Sequence, residues 1–312
     1  MYGSFRQTEA FKLQNYILLA VSILFSVLAC AVARNDFSKK CVSHNGDLYL
    51  FNTVSAFLSL ATLAAISLVK GELCVPGAYT ALMGAMYGLA TALFTLLNMM
   101  ALQTGPLSYT NTIIFCAMVI PALSGMALYG EAVTIGQYGG IALMLLSFVF
   151  SMDKKSDTRG MSLRWLILCL GAFLFNGAVG VLQKVHQNSP EKGQLGMFLI
   201  VAFVVYTLFS AVLTVLHTRL HGEPPTAWKP ELRKQTAVYV LMSGVGIGVC
   251  NQINTYLAGA MRAIVFFPLV NGVAILITLL IGLVVWKEKF SKKQWIGLAA
   301  GAFSILLLCG LF

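Results

Sequence analysis

Residues 127–149 read ALYGEAVTIGQYGGIALMLLSFV, and residues 283–307 read LVVWKEKFSKKQWIGLAAGAFSILL. Adding 157 to each position in the first stretch places Glu131 on Glu288, Thr134 on Ser291, Gln137 on Gln294 and Gly140 on Gly297. Four matches at one offset, close to half of the 312 residues, point to an internal repeat. A weaker match at an offset of 150 sets Phe25 against Phe175 and Arg34 against Lys184.

The repeated matter is apolar. The chain is 58% hydrophobic and 10% charged, with a mean hydropathy of +0.83. Soluble domains carry about a quarter charged residues, so a water-soluble enzyme with a single core is excluded. The uncharged runs can be counted. Lys12 to Arg34 encloses 21 residues, Asp47 to Lys70 encloses 22, Glu131 to Asp153 encloses 21 and Arg164 to Lys184 encloses 19. Lys192 to Arg219 encloses 26, Lys234 to Arg262 27 and Arg262 to Lys287 24, and 19 follow Lys293. The 58 between Glu72 and Glu131 hold two spans that meet at Thr104, Gly105 and Pro106. A span needs roughly 20 apolar residues, and in lipid only helices satisfy the backbone over such lengths. The sequence therefore predicts ten transmembrane helices, at 14–33, 49–69, 77–101, 106–129, 134–152, 162–183, 194–217, 236–258, 263–286 and 292–312. The first is expected to persist as a span rather than a cleaved signal peptide, because Arg34, Asn35 and Asp36 follow it instead of small residues.

Five helices in each half is an odd number, so the second half enters the membrane inverted relative to the first. The predicted fold is an all-α integral membrane protein of ten transmembrane helices in two inverted five-helix repeats, residues 1–153 and 154–312. Inverted repeats of this kind recur in secondary transporters. Each half ends in a small-residue–Glu–x–hydrophobic–Thr/Ser–x–x–Gln–x–x–Gly hairpin, GEAVTIGQYGG at 130–140 and KEKFSKKQWIG at 287–297. This pattern resembles the drug/metabolite transporter superfamily, and within it the bacterial EamA-type proteins. Lys287 stands where the first copy has the small residue Gly130. The resemblance implies a central cavity between the halves, alternating access, and export or exchange of small metabolites or drugs.

The eleven acids all fall in loops or at helix ends. A carboxylate at mid-membrane is the usual mark of a proton relay or cation counter-ion. The resemblance implies such a group in the first helix of small multidrug pumps, and this first helix has none. His44, His217 and His221 read as loop residues, and His186 as partly solvated near the end of the sixth helix. No nucleophile–base pair, HExxH helix or phosphate-binding glycine loop is present, so no enzymatic activity, cofactor or metal is expected. The seven cysteines read as small core residues. The net charge of +10 sits in the loops and gives no case for nucleic acid.

Uncharged polar residues within the spans remain as the substrate pathway. Asn251 and Asn254 share a face of the eighth helix with Thr255, and Tyr256 stands beside them. Asn176 lies at mid-depth in the sixth helix. Asn98, Tyr109 and Asn111 flank the turn between the third and fourth. Pro268 removes a helical hydrogen bond and frees a carbonyl near Asn271. Lys184 and Arg262 are candidate anion contacts at a cavity mouth, against the alternative that they snorkel to headgroups. Glu131 and Glu288 read as hairpin or gating residues. The expected partners are a small-molecule substrate and the lipid bilayer, with the chain a monomer or homodimer in a bacterial plasma membrane.

Orientation stays open. The N-terminus and even-numbered loops carry six Lys/Arg and the odd-numbered loops fifteen. The positive-inside bias puts both termini outside, and the family resemblance implies both inside. The leading functional expectation is efflux or exchange of small polar, amino-acid-like solutes. Two alternatives are a nucleotide-sugar or phosphate-ester exchanger using Lys184 and Arg262, and a membrane-embedded lipid scramblase or enzyme.

Overall fold

The computed structural model describes residues 2–105, 107–151, 162–222, 226, 232–284 and 291–309. Among them there is helix and no strand. The helices in chain order are α1 (Tyr2–Ser26), α2 (Arg34–Lys40), α3 (Asn45–Lys70), α4 (Ala78–Thr104), α5 (Leu107–Phe115) and α6 (Val119–Tyr129). They continue as α7 (Ile135–Ser151), α8 (Leu163–Gln187), α9 (Leu195–His221), α10 (Arg233–Ala260), α11 (Ala263–Val284) and α12 (Lys292–Leu308). A π-helical turn over Val27–Ala33 joins α1 to α2, and a 3₁₀ turn over Cys116–Met118 joins α5 to α6.

Seven stretches are long and apolar enough to cross a membrane: Asn45–Lys70, Ala78–Thr104, Tyr109–Tyr129, Leu163–Gln187, Lys192–His221, Arg233–Ala260 and Ala263–Ile281. That is the make-up of a multi-pass membrane protein. Two shorter apolar stretches are Leu13–Ala29 and Ile135–Phe150. The count of seven among the described residues is lower than the ten spans read from the nine uncharged runs, because an uncharged run can exceed the helix it contains. Helix α7, for example, covers 17 residues, or roughly 25 Å at the helical rise.

The helix ends follow local chemistry. Helix α3 opens on a capping box between His44 and Asp47. The buried Asp47 carboxylate accepts the backbone N–H groups of Ser43 at 3.0 Å, His44 at 3.2 Å and Thr226 at 2.5 Å. The repeated Thr/Ser–x–x–Gln pattern is the same device twice. Thr134 N–H donates to Gln137 Oε1 at 3.2 Å and Gln137 N–H to Thr134 Oγ1 at 3.3 Å, just ahead of α7. Ser291 and Gln294 do likewise at 2.8 and 3.3 Å ahead of α12. Helix α6 ends at Gly130, whose φ of 61° is the left-handed conformation that only glycine adopts cheaply.

By its contacts the chain divides into two compact units, Met1–Ala92 with His186–Leu257 and Leu93–Val185 with Ala258–Phe312. Each unit therefore draws on both halves of the sequence, whereas the repeat read from the sequence divides at 153/154. In the first unit, α3 lies along α9 and small residues set the spacing. A Cβ on Gly244 of α10 would come 2.5 Å from Leu58 Cβ, and one on Gly248 would come 3.1 Å from the Ser59 carbonyl oxygen. Ser59 Oγ donates to Gly244 O at 2.8 Å. A cluster of Phe37, Cys41, Phe51 and Val240 fills one end. In the second unit, α7 lies along α12. Gly140 faces Leu307 and Leu308, and Ser147 Oγ donates to Gly297 O at 2.7 Å. Trp165 is buried with Ala101, Leu168 and Cys169, and its indole N–H donates to Thr110 Oγ1 at 2.8 Å.

Small residues at such crossings let backbones approach closely, which is the main attraction available between helices in lipid. A Cβ on Gly88 of α4 would run into the Ala202 carbonyl of α9, whereas nothing lies within 4 Å of one on Gly139. Gly88→Ala should lower stability by about 1–3 kcal/mol, while Gly139→Ala should leave the melting temperature in detergent unchanged or slightly raised.

Candidate functional site

The second unit holds an ion pair between elements far apart in sequence. Lys184, one turn before the end of α8, places Nζ 2.7 Å from Glu131 Oε1, and the two side chains are only 4% and 12% exposed. The same ammonium donates to the Met261 carbonyl, just past α10, at 3.0 Å. The other oxygen, Glu131 Oε2, accepts the Ala263 backbone N–H at the start of α11 at 2.7 Å. The cation sits at a helix C-terminus and the anion at an N-terminus, as the helix dipoles favour. Gly125 makes room, since a Cβ there would stand 2.5 Å from Glu131 Oε2. Arg262 is exposed and donates to Ala132 O at 3.0 Å.

Of the two predicted anion contacts, Lys184 thus carries an anion of its own chain. Glu131, read as fixing its own hairpin, reaches beyond that hairpin to tie the α6–α7 turn to α11. Glu288 lies outside the described residues.

The predicted pathway residues of the second unit are dispersed over α4, α5, α8 and α11. Asn176 Nδ2 donates to the Ile114 carbonyl of α5 at 3.2 Å. Asn98 Oδ1 is buried with no hydrogen-bond partner among the described residues. Asn111 is half-buried, and Tyr109 packs against the Trp165 cluster. Helix α11 continues through the buried Pro268. Asn271 is exposed, and its Nδ2 turns back onto the Phe267 carbonyl of its own helix at 2.9 Å. The proline was expected to open the helix and leave an amide and a carbonyl for a ligand. Pro268 is the sixth residue of α11, so the bond it removes is the one to the Ile264 carbonyl, one turn earlier.

In the first unit the predicted asparagines of α10 form side-chain pairs. Asn251 Oδ1 accepts the Tyr87 hydroxyl of α4 at 2.6 Å, and its Nδ2 donates to Ile247 O at 2.9 Å. Asn254 Oδ1 accepts the Ser22 hydroxyl of α1 at 2.6 Å. Its Nδ2 has no partner among the described residues. Tyr256 is half-buried on the next position. Sequence reasoning passed over Tyr87 and Ser22, because a lone Tyr or Ser in an apolar run carries no spacing signal.

It also misjudged His186, which is fully buried instead of partly solvated. Its ring stacks on Phe198 with centroids 4.3 Å apart. Nε2 lies 3.2 Å from Thr80 Oγ1, and that hydroxyl donates to Glu191 Oε2 at 2.6 Å. Because the Thr80 proton goes to Glu191, the imidazole donates from Nε2 and accepts at Nδ1 from Gln187 Nε2, 3.1 Å away. Glu191 also accepts the Thr80 N–H at 2.9 Å, capping α4 from outside its own helix. The signal for this arrangement is tertiary, as Thr80 and Glu191 are 111 residues apart. Among the described residues no group of three His, Cys, Asp or Glu could hold a metal ion, and six cysteines are free thiols.

No family model and no curated protein matches the chain. A solved structure described as "Crystal structure of protein" is similar to it over 95% of this chain and 99% of that one, with a TM-score of 0.66 and 15% identity. At that identity the likeness is one of fold alone.

The Glu131–Lys184 geometry yields an unequal pair of substitutions. Glu131→Gln strands a buried ammonium and should destabilise by about 3 kcal/mol. Lys184→Met leaves Glu131 its bond to Ala263 and should cost less, and the double variant should cost less than the sum. Melting temperatures of the four proteins in detergent check this.

Proposed function

We propose that the chain is a secondary transporter of small polar metabolites, neutral or zwitterionic, with amino-acid-like solutes foremost. On this reading ten membrane crossings form two inverted five-helix repeats of the EamA-like drug/metabolite transporter kind in a bacterial plasma membrane, and solute moves by alternating access as efflux or exchange. The observation that carries the reading is polar hydrogen-bonding capacity left unused inside membrane-length apolar helices. Asn98 Oδ1 is a buried acceptor with no donor among the described residues. A buried amide group without a partner costs on the order of 1–3 kcal/mol, so its retention fits contact with a polar solute. The described acids support a neutral or zwitterionic solute over an organic cation. None lies inside a spanning stretch except Asp47 in the first turn of α3. A phosphate-ester exchanger draws little support, since Lys184 and Arg262 already bond within the chain.

A thermal-shift panel on the detergent-purified protein tests this. It should contain amino acids, quaternary amines, nucleotide sugars and phosphate esters, because a ligand stabilises the state it binds as RT ln(1 + [L]/Kd). The expected result is stabilisation by amino-acid-like solutes, lost in Asn98→Ala while the variant remains folded. Counterflow of the stabilising solute in proteoliposomes should then fall at least about tenfold in that variant, the loss of one hydrogen bond to a bound polar group. Stabilisation by nucleotide sugars or quaternary amines alone would reject the proposed solute class.

A further inference from the structure

Two buried oxygens at the crossing of α3 and α9 have no hydrogen-bond partner among the described residues. One is Ser67 Oγ, in the last turn of α3, on a residue that is 0% exposed. The other is Glu72 Oε2, two residues past the end of that helix. Gly196, the second residue of α9, brings them to one spot. A Cβ there would run into Ser67 Oγ and stand 3.1 Å from Glu72 Oε2. A buried serine in a helix can turn its hydroxyl back to a carbonyl one turn earlier, as Ser59 does to Ser55 O at 2.8 Å. Ser67 does not. Nor does Glu72 Oε2 accept an N–H of α9 in the way that Glu191 caps α4. The Lys70 ammonium lies by the other oxygen, 3.7 Å from Oε1, and is itself half-exposed. The Glu72 side chain is 32% exposed, so its carboxylate has one oxygen enclosed and an edge open to the outside.

Two oxygens gathered at one spot without a donor call for a group that several lone pairs can share, which is a hard cation. The charge selects which one. A single carboxylate is neutralised by a monovalent ion, whereas calcium sites draw on several carboxylates and magnesium keeps a shell of waters. The helix polarities agree, since the C-terminal turn of α3 favours positive charge and the N-terminus of α9 favours the carboxylate. We propose that Ser67 Oγ and Glu72 Oε2 bind a sodium ion between α3 and α9, which enters along the exposed edge of Glu72. Glu72 supplies the charge. Ser67 supplies a neutral oxygen whose burial nothing else compensates. The last carbonyls of α3, which lack intrahelical donors, lie in the same turn. The site stands on these atoms alone and is independent of the transporter reading.

The test is the melting temperature of the detergent-purified full-length protein in sodium chloride against equal choline chloride. Sodium should raise it by at least about 2 °C. Ser67→Ala should give opposite signs in the two salts. In choline it removes a buried hydroxyl that has no partner, so the variant should melt at or above wild type. In sodium it loses a ligand of the ion and should melt below wild type. Glu72→Gln, which has the same shape and no charge, should melt equally in sodium and choline. Equal melting of wild type in the two salts would overturn the site, and so would a sodium effect that both variants retain. Ser67→Ala melting below wild type by the same amount in both salts would make Ser67 a structural hydroxyl and overturn its part in the site. Stabilisation by acid that is equal in the two salts and lost in Glu72→Gln would make the occupant a proton and overturn the sodium ion. If Glu72→Gln does not survive extraction, the change of sign in Ser67→Ala decides alone. A sodium effect without counterflow of any solute would keep the site and reject the transporter reading, and counterflow without a sodium effect would do the reverse.

Discussion

Inside a lipid-spanning helix no water is available, so each polar group must find its partner within the protein or go without. Most features of this structure follow from that constraint. Among the described residues the backbone is helical apart from the connecting turns, with no strand. Serine and threonine hydroxyls turn back to carbonyls of their own helices, as Thr62 does to Leu58 at 2.8 Å, Thr214 to Ser210 at 3.0 Å and Thr278 to Ala274 at 2.8 Å. Where a side chain cannot do this, it pairs across helices, as Ser22 does with Asn254 and Tyr87 with Asn251.

The same constraint explains how carboxylates are used. Glu131 and Glu191 accept a backbone N–H in the first turn of a helix, Ala263 of α11 and Thr80 of α4, and Asp47 accepts that of His44, the residue that caps α3. In two of the three the helix capped is not the carboxylate's neighbour in sequence. Glu131 and Glu191 therefore act as long-range staples whose strength comes from orphan helix donors in surroundings of low polarity. Their glycine neighbours, Gly125 and Gly77, make this possible, because a Cβ at either would stand 2.5 Å from a carboxylate oxygen.

Much of this was legible in advance, for reasons particular to each element. Charge-free runs bounded by Lys, Arg, Asp and Glu mark helices because leaving the membrane is what allows a charge. The Thr134/Gln137 and Ser291/Gln294 pairs were visible as a repeat, and their spacing of three is that of a capping box. Asn251 and Asn254 were recognised as one helix face from their spacing alone.

What the sequence by itself determined is the helical class, the apolar character of the long stretches and the location of charge at their ends. Tertiary structure alone decided which helix each polar side chain meets. Lys184 was read as open to an outside anion, yet it pairs with a carboxylate 53 positions earlier. His186 was read as wetted, yet it stacks on Phe198 and bonds to Thr80. The physical reason is the range of the forces. Helix formation depends on neighbours three and four residues away, and a sequence displays those directly. Pairing in a medium of low polarity depends on which helices touch, and side-chain packing across the whole chain sets that.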